Sequence, residues 1–135
     1  MTRRALLVIS VVGLLSACGG TPPPAREITI ELKGNRFQPE TISMKAGERI
    51  RFVVTNKDSV DHEIVIGDDE VQTEHAEASG DKMVHHGTDQ STRAVPPGDT
   101  IEFDFTVPKT ATGLKYGCHI LDHYETGMVG QIDIT

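Results

Sequence analysis

Hydrophobic and polar residues alternate with a period of two along most of the chain from Arg26 onward. Ile28, Ile30 and Leu32 alternate with Thr29 and Glu31, and Thr41 to Met44 forms a short second run. From Glu48 to Asn56, Ile50, Phe52 and Val54 share one parity while Arg49, Arg51 and Val53 share the other. Asp61 to Ile66 is a further run. Asp99 to Val107 alternates most cleanly, with Ile101, Phe103, Phe105 and Val107 against Glu102, Asp104 and Thr106. Leu114, Tyr116 and Cys118 share a parity, as do Ile132 and Ile134. A period of two puts one set of side chains on each face of a strand. Gly47, Gly98 and Gly113, with Pro39, Pro96-Pro97 and Pro108, separate the runs. Short alternating strands divided by turn residues predict an all-β fold, an antiparallel β-sandwich of Greek-key type.

The stretch 67–90 breaks this pattern. It is polar, acidic and poor in strand-forming residues. Asp68-Asp69-Glu70 offers a helix start, Glu70 to Ala78 has room for two turns, and Ser79-Gly80-Asp81 would end them. The expectation is an insertion between strands, partly helical, with a mobile remainder.

The N-terminus follows a different logic. Arg3 and Arg4 precede an apolar run from Ala5 to Leu15, and Leu15-Ser16-Ala17-Cys18 follows. The run is too short to span a bilayer as part of a mature protein. The order resembles a bacterial lipoprotein signal, which implies removal of residues 1–17 and lipidation of Cys18. Pro22-Pro23-Pro24 makes 18–25 a semi-rigid tether. One domain, 26–135, is left to fold. The expected location is the cell membrane, facing the periplasm or the exterior, with membrane contact through the lipid.

Charge narrows the partners. Lys plus Arg totals 13 against 20 acidic residues, a formal charge of −7. Loss of Arg3 and Arg4 leaves 11 against 20, or −9. Nucleic acid needs a basic footprint and is excluded as an expected partner. A basic protein or a cation suits the charge.

The chemistry is concentrated near the C-terminus, where Cys118, His123 and Met128 recur at a five-residue step. With Cys18 assigned to lipid, Cys118 has no disulfide partner, and metal ligation is one of few stable fates for a thiol in an oxidising compartment. Thiolate and thioether are soft donors and imidazole is borderline. With a second histidine they suit a trigonal His₂Cys copper site with a weak axial Met. His62 is the best candidate, because its parity matches Ile64 and Ile66 and points it into the sandwich. Glu63, of opposite parity, is expected to be a solvated strand residue.

Phe37-Gln38-Pro39, Gly47-Glu48, Asn56, His62-Glu63 and the loop carrying Cys118, His123 and Met128 together resemble a cupredoxin, the type 1 copper fold of plastocyanin and azurin. The resemblance covers 26–135. It implies one copper ion cycling between Cu(I) and Cu(II), electron transfer without an enzymatic reaction, redox or copper-handling proteins as partners, and a monomer. It also implies an apolar rim around His123, for which Ile120, Leu121, Tyr124 and Val129 are candidates. A hydrogen bond should support His62, with Asn56 a contributor, and amides should surround the Cys118 sulfur. His119 is similar to a histidine that follows the copper-binding cysteine in multicopper oxidases. The companion histidine pairs of those enzymes are absent here, so His119 is expected on the opposite face of the strand, in a structural or surface role. A second reading is copper delivery or storage, in which His75, Met83, His85 and His86 would form a secondary metal site in the insertion.

Overall fold

The structure is a computed structural model, described here for residues 25–79 and 91–135. The expected signal segment, Cys18 and Pro22 to Pro24 lie outside the described residues, as do Met83, His85 and His86. Among the described residues no helix is long and apolar enough to cross a membrane.

Among the described residues nine strands form two sheets. They are β1 (Arg26–Leu32), β2 (Phe37–Gln38), β3 (Thr41–Met44), β4 (Arg49–Asn56), β5 (His62–Gly67), β6 (Thr92–Val95), β7 (Thr100–Thr106), β8 (Lys115–Gly117) and β9 (Val129–Ile134). One sheet has the order β2-β1-β4-β7 and the other β3-β9-β8-β5-β6. Helix α1 (Asp69–Ser79) leaves the end of β5. The all-β sandwich expected from the alternation is therefore present. Its sheets are mixed, because β1 pairs with β4 and β3 with β9 in parallel. Alternation marks the faces of a strand and carries no information on the direction of its neighbour.

The inward parity predicted for β1 and β4 is the buried one. Ile30, Leu32, Ile50, Phe52 and Val54 are fully buried and meet Ile64, Ile66 and Tyr116 from the other sheet. Two strands have no strong alternating signal, β2 and β6. Phe37 of β2 is buried edge-on against Tyr116, with ring centroids 5.0 Å apart. β6 pairs with the edge of β5, setting Val95 opposite His62.

All six residues of β5 are buried. One face meets the sandwich core, and α1 covers the other. The sheet surface is cut away to receive the helix. A Cβ on Gly67 would lie 2.4 Å from the Val71 side chain, and one on Gly117 would lie 2.6 Å from the Tyr124 ring and 3.0 Å from Gln72 Oε1. Asp68 caps the helix, its Oδ1 accepting from the Val71 amide at 3.1 Å, and Asp69 and Glu70 place negative charge in the first turn. The inner face of α1 carries Gln72 and His75, both buried. Polar groups in that position require partners, and the partners lie on the two strands that lead to the candidate site.

Candidate metal centre

His62 opens β5 and Cys118 directly follows β8. These neighbouring strands pair antiparallel through Val65 and Gly117, Ile66 and Tyr116, and Gly67 and Lys115. The ladder thus delivers both side chains to one end of the sandwich. His123 returns through a run of tight turns. Its amide donates to the Ile120 carbonyl at 3.2 Å, and the Gly127 amide donates to Tyr124 at 3.0 Å. Two residues take positive φ in this loop, Leu121 at 54° and Gly127 at 99°. Gly127 is suited to its position, since a side chain there would be strained. The Met128 amide then donates to the His123 carbonyl at 2.7 Å, and the Cys118 amide donates to the Met128 carbonyl at 3.2 Å. The backbone of Met128 is therefore clamped to the backbones of both predicted loop ligands.

Three donor atoms converge. Cys118 Sγ lies 3.5 Å from Nδ1 of His123 and 3.8 Å from Nδ1 of His62. Donors held by one ion at about 2.0 Å for nitrogen and about 2.3 Å for sulfur, with trigonal angles, lie roughly 3.7 Å apart. The observed spacing fits a single metal ion. His62, Cys118, His123 and Met128 are all buried. Among the described residues these two histidines and the cysteine are the only such group of three potential ligands. His75 and His119 are not part of it.

The surroundings prepare the donors. Asp58 Oδ2 lies 3.0 Å from His62 Nε2. A carboxylate can only accept, so Nε2 carries the proton and Nδ1 presents its lone pair toward Cys118. Burial alone would raise the Asp58 carboxyl. The amides of Gly34 and Asn35 and the His62 contact outweigh it and hold the group below its ordinary value. Burial pushes the Cys118 thiol up to about 11, against the opposing pull of the Glu63 and Ile120 amides on its sulfur. Burial, reinforced by nearby His62, holds His123 below the usual imidazole value. In the absence of metal these last two groups thus favour neutral forms. Two imidazoles and a thiol that must lose its proton are the donor types of a copper-thiolate site.

This geometry can be set beside known proteins. Residues 26–135 match the model of the copper binding proteins of the plastocyanin/azurin family. The chain belongs to that family. It is 31% identical over 140 residues to the copper-resistant cuproprotein CopI of Pseudomonas aeruginosa, covering 82% of this chain and 76% of that one. It is 32% identical over 97 residues to the CopI of Rubrivivax gelatinosus, covering 72% of this chain and 58% of that one. In fold it is similar to the reduced auracyanin of Roseiflexus castenholzii, with a TM-score of 0.69 at 21% identity, covering 82% of this chain and 98% of the other. The protein is a copper-binding cupredoxin.

Several other expectations meet a different outcome. The side-chain hydrogen bonds of Asn56 do not go to His62. Its side chain donates to the carbonyls of Val60 and Val95 and accepts from the Asp58 amide, so it shapes the loop that presents Asp58. Glu63 is buried, with 1% exposure, because α1 covers the face that alternation alone assigns to solvent. His119 lies on the opposite face from the donors, and of the two roles expected for it, structural or surface, its burial gives it the structural one. Its ring stacks on Tyr124 at 4.2 Å and donates to Gln72 Oε1 at 2.8 Å. His75 is turned inward and donates to Glu63 Oε1 at 3.0 Å. It is occupied within the fold, and its three predicted companions lie outside the described residues. Of the expected apolar rim, Leu121 is exposed, while Ile120 packs against the core and Tyr124 sits against His119. Asp58 is the functional residue that the sequence reading missed. Its four-residue spacing from His62 was an available signal, but its weight depends on the loop that folds the carboxylate back.

Proposed function

We propose that this protein carries single electrons through a mononuclear type 1 copper site, with His62, Cys118 and His123 as equatorial ligands and Met128 as the weak axial one. One observation carries the reading: Cys118 Sγ sits 3.5 Å and 3.8 Å from two imidazole Nδ1 atoms, already at the separation a bound ion requires. Bound copper supplies a one-electron couple between Cu(I) and Cu(II). The chain supplies a frame that resists rearrangement. Asp58 locks the His62 tautomer, the Glu63 amide donates to the Cys118 sulfur at 3.4 Å, and the backbone bonds of Met128 close the loop. Ligands that need not move between oxidation states oppose transfer least. His62 and His123 hold nitrogen lone pairs at the site, and the buried position of Cys118 keeps water from its sulfur. No part of this role calls for a substrate to be transformed, so the protein acts as a carrier and not as an enzyme.

The setting is proposed from the sequence. Lipid on Cys18 would hold a monomeric domain at the outer face of the cell membrane, within reach of redox or copper-handling proteins. A second reading, copper handling, is favoured by the name borne by the relatives, copper-resistant cuproprotein. In it the same site binds copper for transfer or sequestration, and Met83, His85 and His86 assist.

Addition of Cu(II) to the purified metal-free protein tests the main reading. An intense visible thiolate-to-copper band and a reversible voltammogram are expected. Absence of the band, or its survival in Cys118→Ser, would sink the assignment. Joint replacement of His85 and His86 separates the two readings: lost copper tolerance in cells with unchanged electron transfer would favour handling.

A further inference from the structure

Behind the donor atoms, on the far face of the β5–β8 ladder, lies a second buried polar layer. Its members are Glu63, Gln72, His75 and His119, all at most 6% exposed. Glu63 Oε1 accepts two hydrogen bonds of 3.0 Å, one from His75 Nε2 on α1 and one from the backbone amide of His119. The Glu63 amide meanwhile donates to Cys118 Sγ. Glu63 follows His62 in the chain, and His119 follows Cys118. The β5–β8 register stops at Val65 and Gly117. Continued by two residues, it sets Glu63 opposite His119, and there the carboxylate takes the amide that a ladder carbonyl would otherwise take.

Gln72 lies three residues before His75, on the same side of the helix. Its side-chain amide donates to the Val65 carbonyl at 2.9 Å and accepts from His119 Nε2. The helix therefore grips β5 at Glu63 and Val65 and reaches beyond β8 at His119. These contacts are polar, directional and buried, so none can loosen without exposing an unpaired group in a dry environment. They end on the residues next to two of the three donors.

We propose that α1 is a positioning element of the copper centre: through His75 and Gln72 it holds Glu63 and His119, and so sets the separation of His62 from Cys118. Val71 packs on Gly67, but the buried side chains of this face are the polar Gln72 and His75, whose grip is directional where apolar packing would not be. The proposal rests on the copper reading above. His75 and Gln72 are positioning residues. Their hydrogen bonds go to Glu63, Val65, Lys115 and His119 rather than to the donor atoms.

The test uses His75→Ala and His75→Gln, the latter retaining an N–H donor, with Ile50→Val in the other sheet as a control for lost stability. Metal-free proteins are compared by amide hydrogen exchange at His119 and Glu63. Copper-loaded proteins are compared by the thiolate-to-copper band and the reduction potential. In His75→Ala the His119 amide is expected to exchange about tenfold faster, the factor set by losing support for a bond to a charged acceptor. The band should shift and the potential should move. His75→Gln should recover part of each change, and Ile50→Val should leave the band in place. Unchanged His119 protection and an unchanged band in His75→Ala would overturn the proposal, as would an equal band shift in Ile50→Val. Should His75→Ala fail to fold, Gln72→Ala is read against the same criteria. A wild-type protein without the band would refute the copper reading instead, and the exchange data would still judge the clamp.

Discussion

Asp58 Oδ2 accepts a hydrogen bond from Nε2 of His62 at 3.0 Å, and this one contact decides which nitrogen of His62 faces Cys118. The carboxylate is itself held by the amides of Gly34 and Asn35, and its own amide by Asn56 Oδ1. A ring fixed in this way presents a more basic Nδ1 in a set direction. Asp58→Ala is expected to lower copper affinity about 10- to 100-fold, the usual cost of losing an outer-shell partner. It should also raise the reduction potential, because a carboxylate on the ligand favours Cu(II). Competition against a chelator and voltammetry measure the two effects. Wild-type affinity in Asp58→Ala would show that the loop orients His62 without its carboxylate.

Copper should raise the stability of the fold substantially. At about a thousandfold excess over the dissociation constant, a ligand bound only by the folded state contributes about 4 kcal/mol. For a domain of this size that corresponds to roughly 10–20 °C in Tm. Thermal unfolding followed before and after chelation checks it. A melting temperature indifferent to copper would contradict a preformed site.

The stability of the metal-free protein should fall on both sides of neutrality. The Cys118 thiol is pushed up to about 11 from an ordinary 9.0. Above pH 9 the unfolded chain loses this proton while the folded chain keeps it, so stability declines as pH rises through 11. The full loss is on the order of 3 kcal/mol. His123 and His119 are both held below the usual imidazole value of 6.5, chiefly by burial. As pH falls through 6.5 the unfolded chain takes up protons that the folded chain refuses, and stability declines again. Urea midpoints across pH should peak between these limits. In Cys118→Ser the decline that starts near pH 9 should be lost, while the one that buried Tyr116 adds above pH 10, its phenol also being held above its ordinary value, and the acid decline should remain.

Gly117 makes room behind the site. A Cβ there would lie 2.6 Å from the Tyr124 ring and 3.0 Å from Gln72 Oε1. Gly117→Ala is therefore expected to cost about 1–3 kcal/mol, the range for overpacking a filled interior. It should also disturb the stack of Tyr124 on His119. Denaturant unfolding gives the first effect and near-ultraviolet dichroism the second. An unchanged midpoint would mean that Tyr124 can move aside freely.

Much of this molecule is written locally. Ile28, Ile30 and Leu32, or Phe103 and Phe105, mark strands by alternation because a pleated chain with one buried face admits only a period of two. Helix α1 begins where Asp68-Asp69-Glu70 supplies a cap and a negative first turn. Cys118, His123 and Met128 lie in one loop, so their spacing alone announces a metal site. His62 could be added because parity turned it inward with Ile64 and Ile66.

Other features required the assembled fold. The parallel pairing of β1 with β4 depends on the path of the chain, which alternation does not record. Glu63 looks solvent-facing by parity and is buried only because α1 lies across it. His75 looks like a free donor in a polar insertion and is spent on Glu63. Asp58 looks like an ordinary loop acid until the turn after β4 brings its carboxylate onto His62. The sequence by itself determined most of the strands, the inward faces of β1 and β4 and a candidate donor set, since these follow from backbone periodicity and donor chemistry. Only the tertiary structure decided which polar residues are buried and what they hold, because burial of a side chain is set by whichever distant segment comes to cover it.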